Sequence, residues 1–382
     1  MKRFLSLVLM VFMLSVLGKP HLTMASVGLP PEVVEAVDLS ELQEFLTTVD
    51  EDVKRYLPSL DLKSWGINGP EWDLRKIGKG IISFFFREIV FNYKLIGQLI
   101  LLALALAVLE NIKHAFEEDN ISRLAFNLCF LVVMGIVLNC FRTNFAIARG
   151  TINEMTNFMY GITPVLFSII AAGGGVATAA IVHPLLISSV GLIGGLITNL
   201  VFPLIMFTGI IGMVNHLVES FPVKKLARFF KFTANGILGT AMAIFIGIVT
   251  IRGFTASVAD SLSLRTAKYF SSAFLPVVGG AISDTMEMAA GSAAVLKSGL
   301  GVYGLGLITL ITVFPLIKIL AVGLIFQLSG ALIQPLGNNR LSDALQDVGD
   351  TTFHLFGAVT VVGLMFFITL AILVGAADFN VR

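Results

Sequence analysis

The sequence is poor in charged residues, which make up 13% of its 382 positions, about half the share usual in soluble domains. Hydrophobic residues make up 56% of the chain, and the mean hydropathy is +0.90. A soluble protein of this composition would have too little polar surface to stay dispersed. We therefore expect an integral membrane protein, with the lipid bilayer as a partner of its surface.

An excess of positive charge is also missing, because the formal net charge is +1. With no broadly basic face, the sequence gives no reason to expect nucleic acid as a partner. The cysteines are Cys129 and Cys140. On one predicted helix they lie roughly 16 Å apart, which is too far for a disulfide. Buried, unreactive thiols are expected.

Catalytic signatures are absent from the sequence. It contains no H-E-x-x-H, no G-x-S-x-G, no Walker A lysine loop and no strand-linked dinucleotide glycine motif. Its five histidines are scattered without metal-ligand spacing. The sequence therefore predicts a protein that is not an enzyme, with no catalytic residue, no metal and no cofactor.

The N-terminus has the pattern of an export signal. Lys2 and Arg3 precede an apolar stretch over residues 4–17, which is shorter than the ~20 residues that a spanning helix needs. Thr23-Met24-Ala25 then offers a cleavage site of small residues. We predict a signal peptide over 1–25, with an uncleaved anchor as the alternative. Residues 26–75 form an extracytoplasmic segment in either case.

The rest of the chain predicts an all-α, polytopic bundle of transmembrane helices. Residues 76–123 hold an interfacial helix and the first span, near 95–109. Further spans are expected near residues 124–141, 160–182, 233–251, 275–296 and 353–377, together with two apolar runs of 35 residues, 184–218 and 299–333.

A basic loop over 222–231 sets the expected direction of the chain. It contains four Lys or Arg residues and should be cytoplasmic by the positive-inside rule. With an external N-terminus, an odd number of crossings must precede it. Two crossings for residues 184–218 give five, whereas one crossing gives four, so two crossings are preferred.

An offset of 112 residues relates several parts of the membrane region and predicts an internal duplication. Val201-Phe202-Pro203-Leu204-Ile205 recurs as Val313-Phe314-Pro315-Leu316-Ile317. Gly135-Ile136-Val137 recurs in the same way at 247–249. The predicted units are 124–235 and 236–347, followed by a final span and C-terminus over 348–382. Positions that repeat and could break helices or pack them closely are Pro164, Pro203, Pro276, Pro315, Gly194 and Gly306.

Ionisable residues inside apolar segments are the one site-like feature. Asp284 and Glu287 lie three positions apart, on one face of a predicted helix, and Lys318 follows in the next run. Such groups usually face a bundle interior or an aqueous cavity. One interpretation is a polar path for an ion or small solute, lined by Asp284 and Glu287 and balanced by Lys318. The other, which the weak hydropathy of the segment favours, is a segment that only partly enters the membrane, with hydrated carboxylates.

Three short segments carry a family resemblance, in their order and spacing. They are Phe274–Gly280 with Ser283-Asp284, the stretch Phe314–Ile319, and Gln334-Pro335-Leu336-Gly337. With the signal peptide and the multi-span body, the chain resembles the stage III sporulation protein AE family of endospore-forming Firmicutes over nearly its full length.

The resemblance implies a membrane component of the channel or secretion-like complex between mother cell and forespore. It also implies location in the mother-cell membrane around the forespore. The implied partners are other stage III sporulation operon proteins, namely an ATPase and ring-forming and small membrane components. The second hypothesis, from the repeat and the charges, is an autonomous secondary transporter for an ion or small polar solute.

Overall fold

The computed structural model of the chain describes residues 38–60, 62, 69–115, 120–217, 223–245, 247–248 and 279–375. At 109–115, 120–123, 126, 177–178, 217, 279–290 and 375 the description covers the backbone alone. The predicted signal peptide, the start of the external segment and Pro276 lie outside the described residues.

Every regular element of the described residues is helical, which confirms the all-α prediction. The helices are α1 (Ser40–Thr48), α2 (Glu51–Lys54), α3 (Leu74–Phe91), α4 (Tyr93–Ala115), α5 (Asn120–Ala172), α6 (Val176–Leu196), α7 (Phe202–Leu217), α8 (224–245), α9 (Gly279–Ile333) and α10 (Asn339–Gly375). A π-helical turn, Ile197–Val201, joins α6 to α7, and a 3-10 turn, Gln334–Leu336, follows α9.

Five helical segments of the described chain are long and apolar enough to cross a bilayer. They are Leu74–Val108, Asn127–Ala172, Ala179–His216, Gly291–Leu336 and Asn339–Val374. The chain is therefore a multi-pass membrane protein. The two longest helices, α5 with 53 residues and α9 with 55, reach about 80 Å by helical rise, well beyond a ~30 Å hydrocarbon core.

The antiparallel pair of α9 and α10 forms the centre of the bundle. The Ser342 hydroxyl donates to the Gly330 carbonyl at 2.8 Å, close to the turn between the helices. Further along, a Cβ at Gly323 would lie 2.9 Å from the Phe353 ring. The turn forms because Gly337 adopts a left-handed φ of 89°, which glycine reaches without a Cβ clash. The Asn338 side chain then accepts from the Leu341 amide at 3.0 Å.

The remaining long helices alternate in direction around this pair. Helix α5 runs antiparallel to α9, because Met155 contacts Thr312 whereas the later residue Ile162 contacts the earlier Gly304. Helices α6 and α7 run antiparallel to α5, with Thr156 against Gly194 and Phe145 against Phe202. Helix α3 runs parallel to α9, since Trp72, two residues before α3, packs on Tyr303 and the later residue Phe84 packs on Phe314.

The predicted division between residues 124–141 and 160–182 is wrong. Helix α5 is continuous from Asn120 to Ala172, and the chain turns at 173–175, inside the predicted span 160–182. Gly174 has a φ of 92°, and three successive glycines weaken a helix by roughly 1 kcal/mol each relative to alanine. Gly173 also packs closely, since a Cβ there would lie 2.9 Å from the Ala293 Cβ.

The preferred two crossings for residues 184–218 are also wrong. Helix α6, the π turn and α7 form one rod without a chain reversal. The π turn ends two residues before Pro203, and a proline lacks the N–H and crowds the carbonyl four residues earlier, so a locally wider turn relieves both problems. With α3–α4, α5 and α6–α7 as one crossing each, three crossings precede the basic loop. That number is odd, so the basic stretch stays opposite to the N-terminal segment. Its residues 224–231 form the first turns of α8 rather than the predicted loop.

The two 112-residue units run in the same direction where they can be compared, because α6–α7 and α9 are both antiparallel to α5. Their local structure differs, since the first unit has a turn at 173–175 and a π turn at Ile197–Val201, whereas α9 is α-helical at the corresponding positions. The internal duplication therefore stays a prediction.

Candidate functional site

Lys318 lies in the middle of α9 and is the one predicted path residue whose side chain falls in the described part of the chain. Its Nζ lies 3.5 Å from Oδ2 of Asp50, at the start of α2. The ammonium also lies 5.7 Å from the ring centroid of Phe84, within range of a cation–π attraction. The N-terminal segment thus supplies a carboxylate to a cation of the membrane bundle.

A second ion pair lies beside the first. Arg87 of α3 donates to Oδ2 of Asp52 at 2.7 Å, and its guanidinium carbon lies 4.6 Å from the same Phe84 centroid. Asp50 also accepts from the Asp52 amide at 3.1 Å, which caps α2. One short turn therefore presents two carboxylates to two cations from different helices.

Aromatic side chains form an apolar floor under these pairs. The Phe84 ring meets Phe314 edge-on at 4.9 Å, and the Tyr56 ring stacks on Phe314 at 5.5 Å. Gly80 of α3 permits this approach, because a Cβ there would overlap the Tyr56 side chain. In the preceding helix, Phe45 of α1 packs on Phe158 of α5 with ring centroids 5.5 Å apart.

Two further carboxylates lie within electrostatic reach. Glu88 of α3 interacts with Lys318 and Arg87, and Glu154 of α5 interacts with Asp50 and Lys318. We call Asp50, Asp52, Arg87, Glu88, Glu154 and Lys318 the Lys318 cluster. It combines four acids with two bases and is half-exposed at the edge of the bundle, with Lys318 30% and Asp50 50% exposed.

The Lys318 cluster is suited to holding α1 and α2 against α3, α5 and α9. Leu42, Phe45 and Val53 of this segment are buried, so apolar packing and ion pairing act together. Among the described residues there is no group of three or more His, Cys, Asp or Glu that could hold a metal ion. The arrangement offers charge pairing and a polar surface, without a nucleophile next to a base.

A second polar group, which the sequence did not predict, joins α7 to α10. Nε2 of His216 lies 2.8 Å from Oδ2 of Asp347, and Nε of Arg340 donates to the His216 carbonyl. The Arg340 guanidinium also lies 4.8 Å from the Phe130 ring centroid of α5. In the sequence, His216 lies at the end of an apolar run and Asp347 lies in an acidic stretch. Neither position identifies the other as its partner.

The other predicted site residues fall in different places. Asp284 and Glu287 lie in α9, and their side chains are outside the described part of the chain. Pro164 and Pro315 lie inside continuous helices, so the chain does not break there, whereas Pro203 follows the π turn. At Gly194 a Cβ would lie 2.9 Å from Oγ1 of Thr156, and at Gly306 it would overlap the Trp72 indole. Both glycines therefore lie at close contacts.

Comparisons with known proteins agree with the resemblance. The family model described as Stage III sporulation protein AE matches residues 63–377. The chain belongs to this family. It is also 32% identical over 300 residues to "Stage III sporulation protein AE" of Bacillus subtilis (strain 168), covering 78% of this chain and 75% of the relative. No solved structure matches. Family membership and the five apolar segments make the chain a multi-pass membrane protein of sporulation.

Proposed function

We propose that the protein is a non-enzymatic membrane component of the channel or secretion-like complex between mother cell and forespore. Membership of the stage III sporulation protein AE family is the observation that carries this proposal. The bundle supports it, because large apolar side chains of α4 and α5, such as Leu101, Leu128 and Val132, are more than half exposed. Such a surface requires lipid or neighbouring membrane proteins.

The proposed partners are other products of the stage III sporulation operon: an ATPase, ring-forming proteins and small membrane components. The proposed location is the mother-cell membrane around the forespore, with the N-terminus external after cleavage of residues 1–25. In that orientation the Lys318 cluster holds the external segment on the bundle. N-terminal sequencing of the mature protein tests the cleavage, and Ser26 is the expected first residue.

Affinity purification of the full-length protein from sporulating cells tests the main proposal. A stable complex with the operon partners is expected, together with loss of sporulation when the gene is deleted. Solute transport by the purified protein alone, with no association with those partners, would contradict it.

The second candidate function is an autonomous secondary transporter for an ion or small polar solute. It is favoured by Lys318, Glu88 and Glu154, which place charge on three apolar helices. Gradient-driven uptake into proteoliposomes should then be lost in an Asp284→Asn/Glu287→Gln variant. Equal uptake by this variant would show that these carboxylates do not line the path. Absence of uptake by the wild type would contradict the transporter hypothesis itself.

A further inference from the structure

The first turns of α8 have one face packed on the bundle and one face open. Ala227 is buried, and the Phe230 ring contacts Phe207 of α7 with centroids 5.8 Å apart. Lys231 is half-buried, and its charge acts on His354 of α10. These residues fix how the helix is rotated, so the remaining side chains of these turns point away from the protein.

The open side combines cations with large apolar groups. We call Lys224, Lys225, Leu226, Arg228, Phe229 and Phe232 the basic–aromatic face. Phe232 is 76% exposed and Phe229 is 59% exposed, and all three cations are exposed as well. Helical spacing places Lys225 beside Phe229 and Arg228 beside Phe232, since residues four apart are neighbours on a helix surface.

The described part of the chain supplies no counter-charge to this face. Within the described ranges, Lys224, Lys225 and Arg228 form no ion pair, whereas Arg87 and Lys54 each have a carboxylate partner. Three neighbouring positive charges favour an anionic ligand. The two phenylalanine rings beside these charges argue against a ligand that is fully dissolved in water, because exposed aromatic rings are stabilised most when they enter an apolar layer.

A ligand that meets both requirements is an anionic phospholipid at the bilayer surface. Its phosphate lies next to the acyl boundary, the depth at which aromatic rings and snorkelling cations are both stabilised. We propose that the basic–aromatic face binds the headgroups of anionic phospholipids. Lys224, Lys225 and Arg228 contact the phosphates, and Phe229 and Phe232 enter the acyl boundary. This site is additional to the proposed role in a complex.

Lipid binding to the full-length protein in a neutral detergent tests the proposal. The probes are phosphatidylglycerol and phosphatidylcholine with the same acyl chains, and the readout is the apparent Kd. The test variant is K224Q/K225Q/R228Q, and R75Q/K76Q/K79Q, which removes three exposed cations of α3, is the matched control. A cation near a lipid surface contributes about 1 kcal/mol, so the wild type should prefer phosphatidylglycerol by roughly tenfold or more.

The test variant should lose this preference, and the control variant should keep it. Equal weakening by both triple variants would overturn the proposal, because general electrostatics would then explain binding. Displacement by millimolar inorganic phosphate would overturn it in favour of a free-anion site. Binding of an acidic protein that phosphatidylglycerol does not displace would overturn it in favour of a protein interface.

Two further measurements cover a test variant that fails to fold. Wild-type affinity for phosphatidylglycerol should fall as salt rises from 50 to 500 mM, because the contact is ionic, whereas a constant affinity would contradict phosphate contacts. An F229S/F232S variant, whose changes lie on exposed positions, should bind the headgroup more weakly than the wild type. Unchanged binding by that variant would contradict insertion of the rings.

Discussion

Two apolar runs of 35 residues, 184–218 and 299–333, share the sequence Val-Phe-Pro-Leu-Ile. They lie in different parts of the bundle. The first run is peripheral, and Leu192 and Phe207 are at least half exposed. The second run is central, and Leu300, Leu307 and Phe326 are fully buried or nearly so. Hydropathy alone therefore does not decide which helix faces lipid.

The glycines of the two runs explain the difference. In the first run, Gly191 and Gly194 approach α5, at Tyr160 and Thr156, and Gly209 lies between Phe141 of α5 and Thr351 of α10. In the second run the close neighbours come from several directions. Gly301 meets Val374 of α10, Gly304 meets Ile162 of α5, and Gly306 meets Trp72 before α3. Glycines of the first run face two helices, α5 and α10, whereas those of the second run face α5, α10 and the start of α3, so the second run is surrounded by close neighbours.

The largest expected effect comes from truncating a buried ring of the central run. Phe326 is 0% exposed, so Phe326→Ala should lower the free energy of unfolding by about 3 kcal/mol through the cavity it leaves. Phe207→Ala in the peripheral run should cost less than about 1 kcal/mol, because lipid can fill the space. Thermal unfolding in neutral detergent compares the two. Equal losses would contradict the assignment of central and peripheral runs.

A smaller effect is expected from adding one methyl group. Gly306→Ala places a Cβ against the rigid Trp72 indole and should lower stability by about 1–2 kcal/mol. Gly195→Ala is the matched change in the first run, where the nearest atom would be 3.9 Å away, and its higher helix propensity should make it neutral or slightly stabilising. A Trp72→Ala change should relieve the cost of Gly306→Ala. Its failure to do so would place the strain elsewhere.

The smallest effect is expected at the position where the two runs differ by a charged side chain. Met206 stands in the first run where Lys318 stands in the second. Lys318→Met and Asp50→Asn should each destabilise the protein, and a double-mutant cycle should give a coupling of about 0.5–1 kcal/mol, since the pair is only half-buried. The exposed pair Lys54–Glu51 is the control, with a coupling near zero. Absence of coupling between Asp50 and Lys318 would mean that the N-terminal segment is held by apolar packing alone.

The helical class and the membrane location could be predicted from composition and hydropathy, because both are determined by the surrounding lipid rather than by contacts between particular residues. Helix ends were harder to place. The spans predicted near 124–141 and 160–182 place residues 142–159 outside the membrane. Helix α5 continues through Arg142, Arg149 and Glu154, because a long helix can carry charges at exposed positions.

The candidate site was predicted only in part. Lys318 stood out because a cation is costly in an apolar run. Its partner Asp50 lies more than 250 positions away, in a polar segment where acids are unremarkable, so the pairing depends on how α2 docks. The same holds for His216 and Asp347, which are 131 residues apart in the sequence. Long-range pairing of this kind has no periodic signal in the sequence.

Paired accessibility at two positions 112 residues apart tests most directly whether the first run faces lipid and the second is interior. In a background without Cys129 and Cys140, spin labels at Leu200→Cys and Thr312→Cys compare a 47% exposed position with a 3% exposed one. In lipid nanodiscs, a lipid-soluble relaxation agent should act strongly on the label at position 200 and weakly on the label at 312. Similar accessibility at both positions, or greater accessibility at 312, would contradict the account.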